Sequence, residues 1–161
     1  MLFKTNVERQ SYGIGKQLKC FLGSLVCPMT LYGCELWASN IVTSKWKQIE
    51  KIQKCLIMSK FKIKSLVSYE IMLNGMGATP IKAIAMVRLI RYLKRIEQMG
   101  VGRWPNVIFN ECTSERKKTW IRQNYTWKQK WNIYLNSCPT NSKELKDFVM
   151  EKFHKKVWGK E

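Results

Sequence analysis

The sequence predicts an all-α protein, an irregular bundle of about six to eight helices with a kinked apolar central helix. Three observations lead there. Almost nothing in the 161 residues alternates with period two, while several stretches repeat with the helical period. Proline, glycine and serine fall where those stretches begin and end. Finally, 45% of the residues are hydrophobic, so a net charge of +18 does not by itself imply a disordered chain.

Residues 14–27 and 29–39 form an apolar run that Pro28 must kink or divide, because proline has no amide for the preceding turn. The second piece, with Leu31, Tyr32, Leu36 and Trp37, is expected to be the most buried helix of the fold. Ser44 is placed to cap the next helix, where Trp46, Ile49, Ile52 and Leu56 share one face and Lys47, Lys51 and Lys54 the other. A short helix over about 67–74 ends in Gly75 and Gly77, and Pro80 stands in the first turn of the helix that follows. That helix is the longest regular segment. Ile81, Ala85, Leu89, Tyr92, Ile96 and Met99 share its face, Arg88, Arg91 and Arg95 run beside it, and Gly100 and Gly102 close it. A short helix near 105–112 follows, then a segment with Trp120, Trp127, Trp131 and Leu135 at roughly helical spacing. Pro139, Asn141 and Ser142 mark a turn before a final charged helix over 143–158. A domain boundary, if the chain has one, is expected near 113–119.

Six cysteines stand at 20, 27, 34, 55, 112 and 138. On one helix Cys20 and Cys27 are about 10 Å apart, beyond disulfide reach. There is no Cys-x-x-Cys pair, and the single histidine, His154, is sixteen residues from the nearest cysteine, so zinc spacing is absent. The expectation is reduced, mostly buried thiols in an intracellular protein, nuclear or cytoplasmic, with no metal and no cofactor. MLFKTNVERQ resembles neither a signal nor a transit peptide, and the longest uncharged stretch, between Cys20 and Glu35, is too short to span a bilayer.

The acids are lopsided: ten of eleven are glutamate, and Asp147 is the only aspartate. Two-metal polymerases and nucleases need clustered carboxylates, which are hard oxygen ligands for Mg²⁺, and scattered glutamates supply no such cluster. A Ser-His-Asp triad has only His154 and Asp147 to draw on, and the Gly-x-Ser-x-Gly turn is missing. GIGK at 13–16 lacks P-loop spacing. The chain is therefore expected to carry no catalytic residue.

Basic charge with aromatics suits nucleic acid, because Lys and Arg neutralise phosphates and release counterions. Lys45, Lys47, Lys51, Lys54, Lys60, Lys62 and Lys64, opposed only by Glu50, form the densest patch, and Arg88, Arg91 and Arg95 the second. A charged stripe opposite an apolar one is also what any soluble helix shows. The net charge adds weight, since self-repulsion of this size is relieved by a polyanion.

Residues LYGCELW, 31–37, preceded by Pro28 and followed by Trp46, Ile49, Glu50, Lys51, Ile52 and Gln53, resemble the region after the catalytic core in reverse transcriptases of LINE-type (non-LTR) retrotransposons. There an LYG-x-E-x-W helix precedes a W-x-x-(I/L)-E-x-(I/L)-Q helix. SYEIMLNGMGATPIKAIAMVRLIRYLKRI, 68–96, is similar to the block that follows, with its glycine (here Gly77) and Pro-Ile pair (Pro80 and Ile81). The matched motif residues are thus Pro28, Leu31, Tyr32, Gly33, Cys34, Glu35, Trp37, Trp46, Ile49, Gln53, Gly77 and Pro80. Ser68 stands where the family usually has proline, and Gly75 where an acidic residue is usual.

The matches cover about residues 20–110 and imply a thumb-like helical domain, placed over 1–112; the boundary near 113–119 leaves a basic, Trp-containing helical extension over 113–161. The resemblance implies a non-catalytic C-terminal piece of an RNA-directed DNA polymerase that binds or positions RNA, DNA or hybrid without sequence preference. It also implies a polymerase palm as partner of the apolar face, which residues 20–37 would otherwise expose; no membrane partner is expected, from the short uncharged stretch above. The competing expectations are a domesticated protein-interaction module and a decayed remnant of a transposable element.

Overall fold

The computed structural model describes residues 16–41, 43–63, 67–114 and 134–157, all helices, turns and loops with no strand among them. Seven helices are numbered in chain order. Helix α1 spans 16–30, with a π-helical stretch over Leu22–Val26 and its last turn at Cys27–Thr30. Helix α2 is the single turn Cys34–Trp37, α3 is Thr43–Phe61, α4 is Tyr69–Met76, α5 is Ile81–Glu97 and α6 is Trp104–Ser114. A 3₁₀ turn at Leu135–Ser137 precedes α7, Ser142–Val157. The chain divides into two compact units, Met1–Tyr32 with Thr43–Ile81, and Gly33–Val42 with Lys82–Glu161.

In the first unit, Leu18 and Leu22 of α1 pack with Ile57 of α3 and with Met72 and Leu73 of α4. Pro28 does not divide α1. The backbone stays right-handed helical through Val26 and Cys27, and the Cys27 amide reaches back five residues to the Leu22 carbonyl. A π turn of this kind is one of the recognised origins of a helix kink, so the irregularity predicted at the proline sits in the turn just before it. Ser24 and Thr30 donate their hydroxyls back to the carbonyls of Cys20 and Val26, at 2.8 and 2.7 Å. The helix stops at Leu31, and Gly33, at φ +61°, starts α2 from the left-handed region. LYGCELW is therefore a helix end, a glycine turn and a new helical turn, where the sequence predicts one helix.

Helix α4 begins at Ser68, whose hydroxyl accepts the Ile71 amide at 3.3 Å, and ends at Gly77, φ +54°. Ser68 supplies the oxygen that an N-cap needs. Gly75 lies inside this helix and does not end it.

In the second unit, α5 supplies Ala83, Met86, Val87, Leu89, Ile90, Leu93 and Ile96 to one buried cluster. Phe109 of α6 joins it, as do Leu135, Cys138, Leu145 and Val149 from beyond residue 113. Fully burying a large aliphatic side chain is worth roughly 1.5–3 kcal/mol. On that scale α5 is the dominant helix, with Leu89, Ile90 and Leu93 at 0% exposure. The stretch 29–39 is not the most buried: Met29, Tyr32 and Leu36 are exposed there. The chain turns at Gly33, so these residues do not share one helical face. Tyr92 and Met99 are half-buried members of the predicted α5 face, and the buried arc is wider than that face.

Asn106, 5% exposed, donates to the carbonyl of Ile96 at 3.0 Å and so satisfies the last turn of α5. Helix α7 is entered through Asn141, whose side chain accepts the Lys143 amide at 3.0 Å and donates to Glu144 at 3.1 Å. Trp120, Trp127, Trp131 and Lys64 lie outside the described residues.

Candidate nucleic-acid interface

Helix α3 carries most of the predicted lysine patch. Its buried side is Trp46, Gln53 and Ile57, with Ile49 and Leu56 half-buried. Ile52, predicted to share that side, is exposed, because the inward line runs through Gln53 instead. At about 100° per residue, Lys47, Lys51 and Lys54 form one row along a flank, and Lys45 falls about 160° away from Lys47. Lys47 and Lys51 are exposed and Lys54 is half-buried. Lys60 occupies the last turn, and Lys62 follows it with φ +51°. The patch is thus a row of three with outliers on the other flank, and not one stripe.

The sign of the surface charge matters more than the row. Among the described residues of the first unit, every exposed charged side chain is a lysine: 16, 19, 45, 47, 51, 60 and 62. The two acids among those described residues, Glu50 and Glu70, are half-buried. The second unit mixes signs, with Glu97, Glu111, Glu144, Asp147 and Glu151 exposed beside its basic residues.

The predicted arginine row is largely occupied within the second unit. Arg88 is half-buried and hydrogen-bonds Cys34, whose buried thiol is pushed up from 9.0 to about 11, mainly by burial. Glu35 pushes in the same direction, and the Arg88 charge and hydrogen bond oppose it. Arg91 holds the start of α7, donating to the Ser142 carbonyl at 3.3 Å and to the Ser142 hydroxyl. Lys94 in turn donates to the carbonyls of Cys138 and, at 3.4 Å, Pro139. Only Arg95 of the row points outward with no bond to a described residue. Arg91 bonds Ser142 through one of its three guanidinium nitrogens and stays exposed, so the row keeps its charge while two of its members also bond within the fold.

The motif residues divide between packing and backbone geometry. Leu31, Cys34 and Trp46 are buried, Glu35, Trp37 and Ile49 half-buried, and Pro80 is buried just ahead of α5. Tyr32 is 87% exposed, against expectation, because the chain turns at Gly33 directly after it. Gln53, 2% exposed, is the residue whose role sequence reasoning missed. Its Nε2 donates to the Thr79 carbonyl at 3.0 Å, and its Oε1 accepts both the Tyr69 hydroxyl and the Ile81 amide. The available signal was a glutamine on an inward helical line, seven residues after Trp46 and four before Ile57. Burial pushes the Tyr69 phenol up, keeping it the donor that this arrangement needs.

Cys27, Cys34 and Cys138 are buried as expected of small core residues, whereas Cys20 and Cys55 are exposed. The heptad from Cys20 to Cys27 crosses the π turn, which carries Cys27 inward and leaves Cys20 on the outer face. Among the described residues no three His, Cys, Asp or Glu side chains gather as a metal site, and no helix is long and apolar enough to cross a membrane. Comparison with known proteins finds no family model, curated protein or solved structure that matches this chain.

Proposed function

We propose that this chain is a non-catalytic nucleic-acid-binding piece that resembles the thumb and following helical region of a LINE-type reverse transcriptase, and that the first unit makes the contact. The observation that carries the reading is the uniform sign of the exposed charge among that unit's described residues. Phosphate neutralisation and counterion release act without sequence preference, so RNA, DNA and hybrid are all eligible ligands. The series LYGCELW, Trp46 to Gln53 and 68–96 supports the retrotransposon origin, and the lack of a carboxylate cluster in sequence supports a chain without polymerase or nuclease activity. A domesticated protein-interaction module is the second reading, favoured by the exposed apolar side chains of α1.

The test is binding of a labelled duplex and a labelled RNA–DNA hybrid across a salt series. Affinity is expected to fall steeply with salt. Lys47→Glu, Lys51→Glu and Lys54→Glu together should weaken binding and reduce the log–log salt slope by about two to three. Absence of binding at low salt, or polymerase activity from the purified chain, overturns the reading.

A further inference from the structure

Helix α1 carries two alternative apolar sets on one backbone. Leu18 and Leu22 are buried, and from Leu22 the buried positions step by five to Cys27 and by four to Leu31, with Val26 and Thr30 half-buried beside them. The step of five is the π turn, closed by the Cys27 amide on the Leu22 carbonyl. On an unbroken α-helix the inward places after Leu22 fall three, four, seven and eight residues on, at Leu25, Val26, Met29 and Thr30. Leu25 and Met29 are 51 and 79% exposed in the π form. The two registers therefore differ by one exchange, Cys27 and Leu31 against Leu25 and Met29, and either set fills the inner face with apolar side chains.

From this geometry we infer that α1 is a two-register helix, whose C-terminal half exchanges between the π form and an α form that turns Leu25 and Met29 inward and Cys27 and Leu31 outward. Closing the π turn to α rotates the residues after it by about 100° and leaves Leu18 and Leu22 in place. The turn is built to open and close. Gly23 lies inside it and is a poor helix former, and the Ser24 hydroxyl bonds back to the Cys20 carbonyl, which weakens and bends a helix. Downstream the helix ends at Leu31 and the chain turns through Gly33, whose backbone takes up the slack at little cost. Pro28 sets the balance. In a continuous α-helix its ring meets the Ser24 carbonyl and it offers no amide, so the proline penalises the α form and keeps the π form the major one. The exchange does not involve the lysine row of α3 and stands whether or not the chain binds nucleic acid.

Cys27 reports the exchange: its thiol is buried in the π form and turns outward in the α form, whereas Cys20 is exposed and lies ahead of the turn. The test is alkylation of the full folded chain with N-ethylmaleimide, read by mass spectrometry, at urea concentrations below the unfolding transition. Cys27 is expected to react at a rate that stays flat with urea, because a register exchange exposes little new surface, whereas exposure through unfolding accelerates with urea. Pro28→Ala should raise that rate about tenfold and keep it flat. Leu25→Ser combined with Met29→Ser changes side chains that are inward only in the α form, so it should lower the rate about tenfold with unchanged helical circular dichroism. Cys20 should react alike in all three chains. A Cys27 that stays unreactive below the transition, or reacts at a rate that climbs with urea, overturns the proposal. So does a rate that Pro28→Ala leaves unchanged, or that the serine pair does not lower.

Discussion

Gln53 caps a helix that it does not belong to: its side-chain oxygen accepts the backbone amide of Ile81, twenty-eight residues away, at 3.0 Å. The first amides of any α-helix lack intrahelical partners, and neither Thr79 nor Pro80 fills this one. The same side chain also takes up the Thr79 carbonyl and the Tyr69 hydroxyl, so one residue of α3 ties the segment from Thr79 to Ile81 to the N-terminal end of α4.

Gln53→Ala should therefore be among the most damaging substitutions in the first unit. It leaves up to three buried polar groups without partners, each costing about 1–3 kcal/mol. The expected loss is about 2–4 kcal/mol in urea unfolding. Gln53→Glu, which keeps the acceptor but loses the donor to Thr79, should recover no more than part of it. A loss under 1 kcal/mol for the alanine variant would show that water replaces the glutamine.

Gly77 and Lys62 occupy the same left-handed position after two different helices, at φ +54° and +51°. In both, the next amide returns to a carbonyl five residues back, Ala78 to Leu73 at 2.9 Å and Ile63 to Met58 at 3.0 Å. A side chain in this conformation costs about 1–2 kcal/mol. Gly77→Ala should destabilise by about 1 kcal/mol and Lys62→Gly should stabilise by about 0.5–1 kcal/mol, opposite signs measurable in one thermal-melt series.

Gly33→Ala tests the glycine turn before α2. A Cβ there meets nothing within 4 Å, so the cost is conformational alone, about 1–2 kcal/mol at φ +61°. Asparagine, which enters the left-handed region more readily, should cost less than alanine. Equal costs would place the origin elsewhere than in the backbone angle.

The cysteines should separate by accessibility. Alkylation at pH 8, followed by mass spectrometry, should label Cys20 and Cys55 first and leave Cys34 protected until the chain unfolds. Cys34 adds a pH dependence. Its folded value is raised, so its contribution is complete below the ordinary thiol value of 9.0 and is lost as pH rises toward about 11. Cys34→Ala should flatten the fall in urea midpoint between pH 8 and pH 10.5. An unchanged fall would exclude the thiol as its source.

Periodicity was enough to identify α3 and α5 in the sequence, because each keeps an inward arc through several turns, although in α3 that arc takes in Gln53 and leaves Ile52 out; α7 was legible from the turn residues before it and its charge. Residues 14–39 were harder. The extra residue of the π turn shifts the phase in mid-helix, so a wheel drawn from Leu18 assigns Met29 to the wrong side. Glycine at 33 was visible, but its left-handed angle depends on the turn it makes and not on its neighbours in sequence. Charge was legible as a total and as helix faces. The bonds that Arg88 and Arg91 make within the fold were not, since their partners are Cys34 and residue 142, each about fifty positions away in the chain.

The π turn also sets how this helix tolerates changes in its length. Five residues, Leu22–Val26, make a turn that an α-helix completes in about four, so the helix already holds one residue more than its register requires. Removing Gly23, which has open space around it, should let the turn relax to α and leave the inward positions on both sides in phase. A one-residue deletion there should melt close to the parent, whereas the same deletion at Leu31, or in the middle of α5, should unfold its unit.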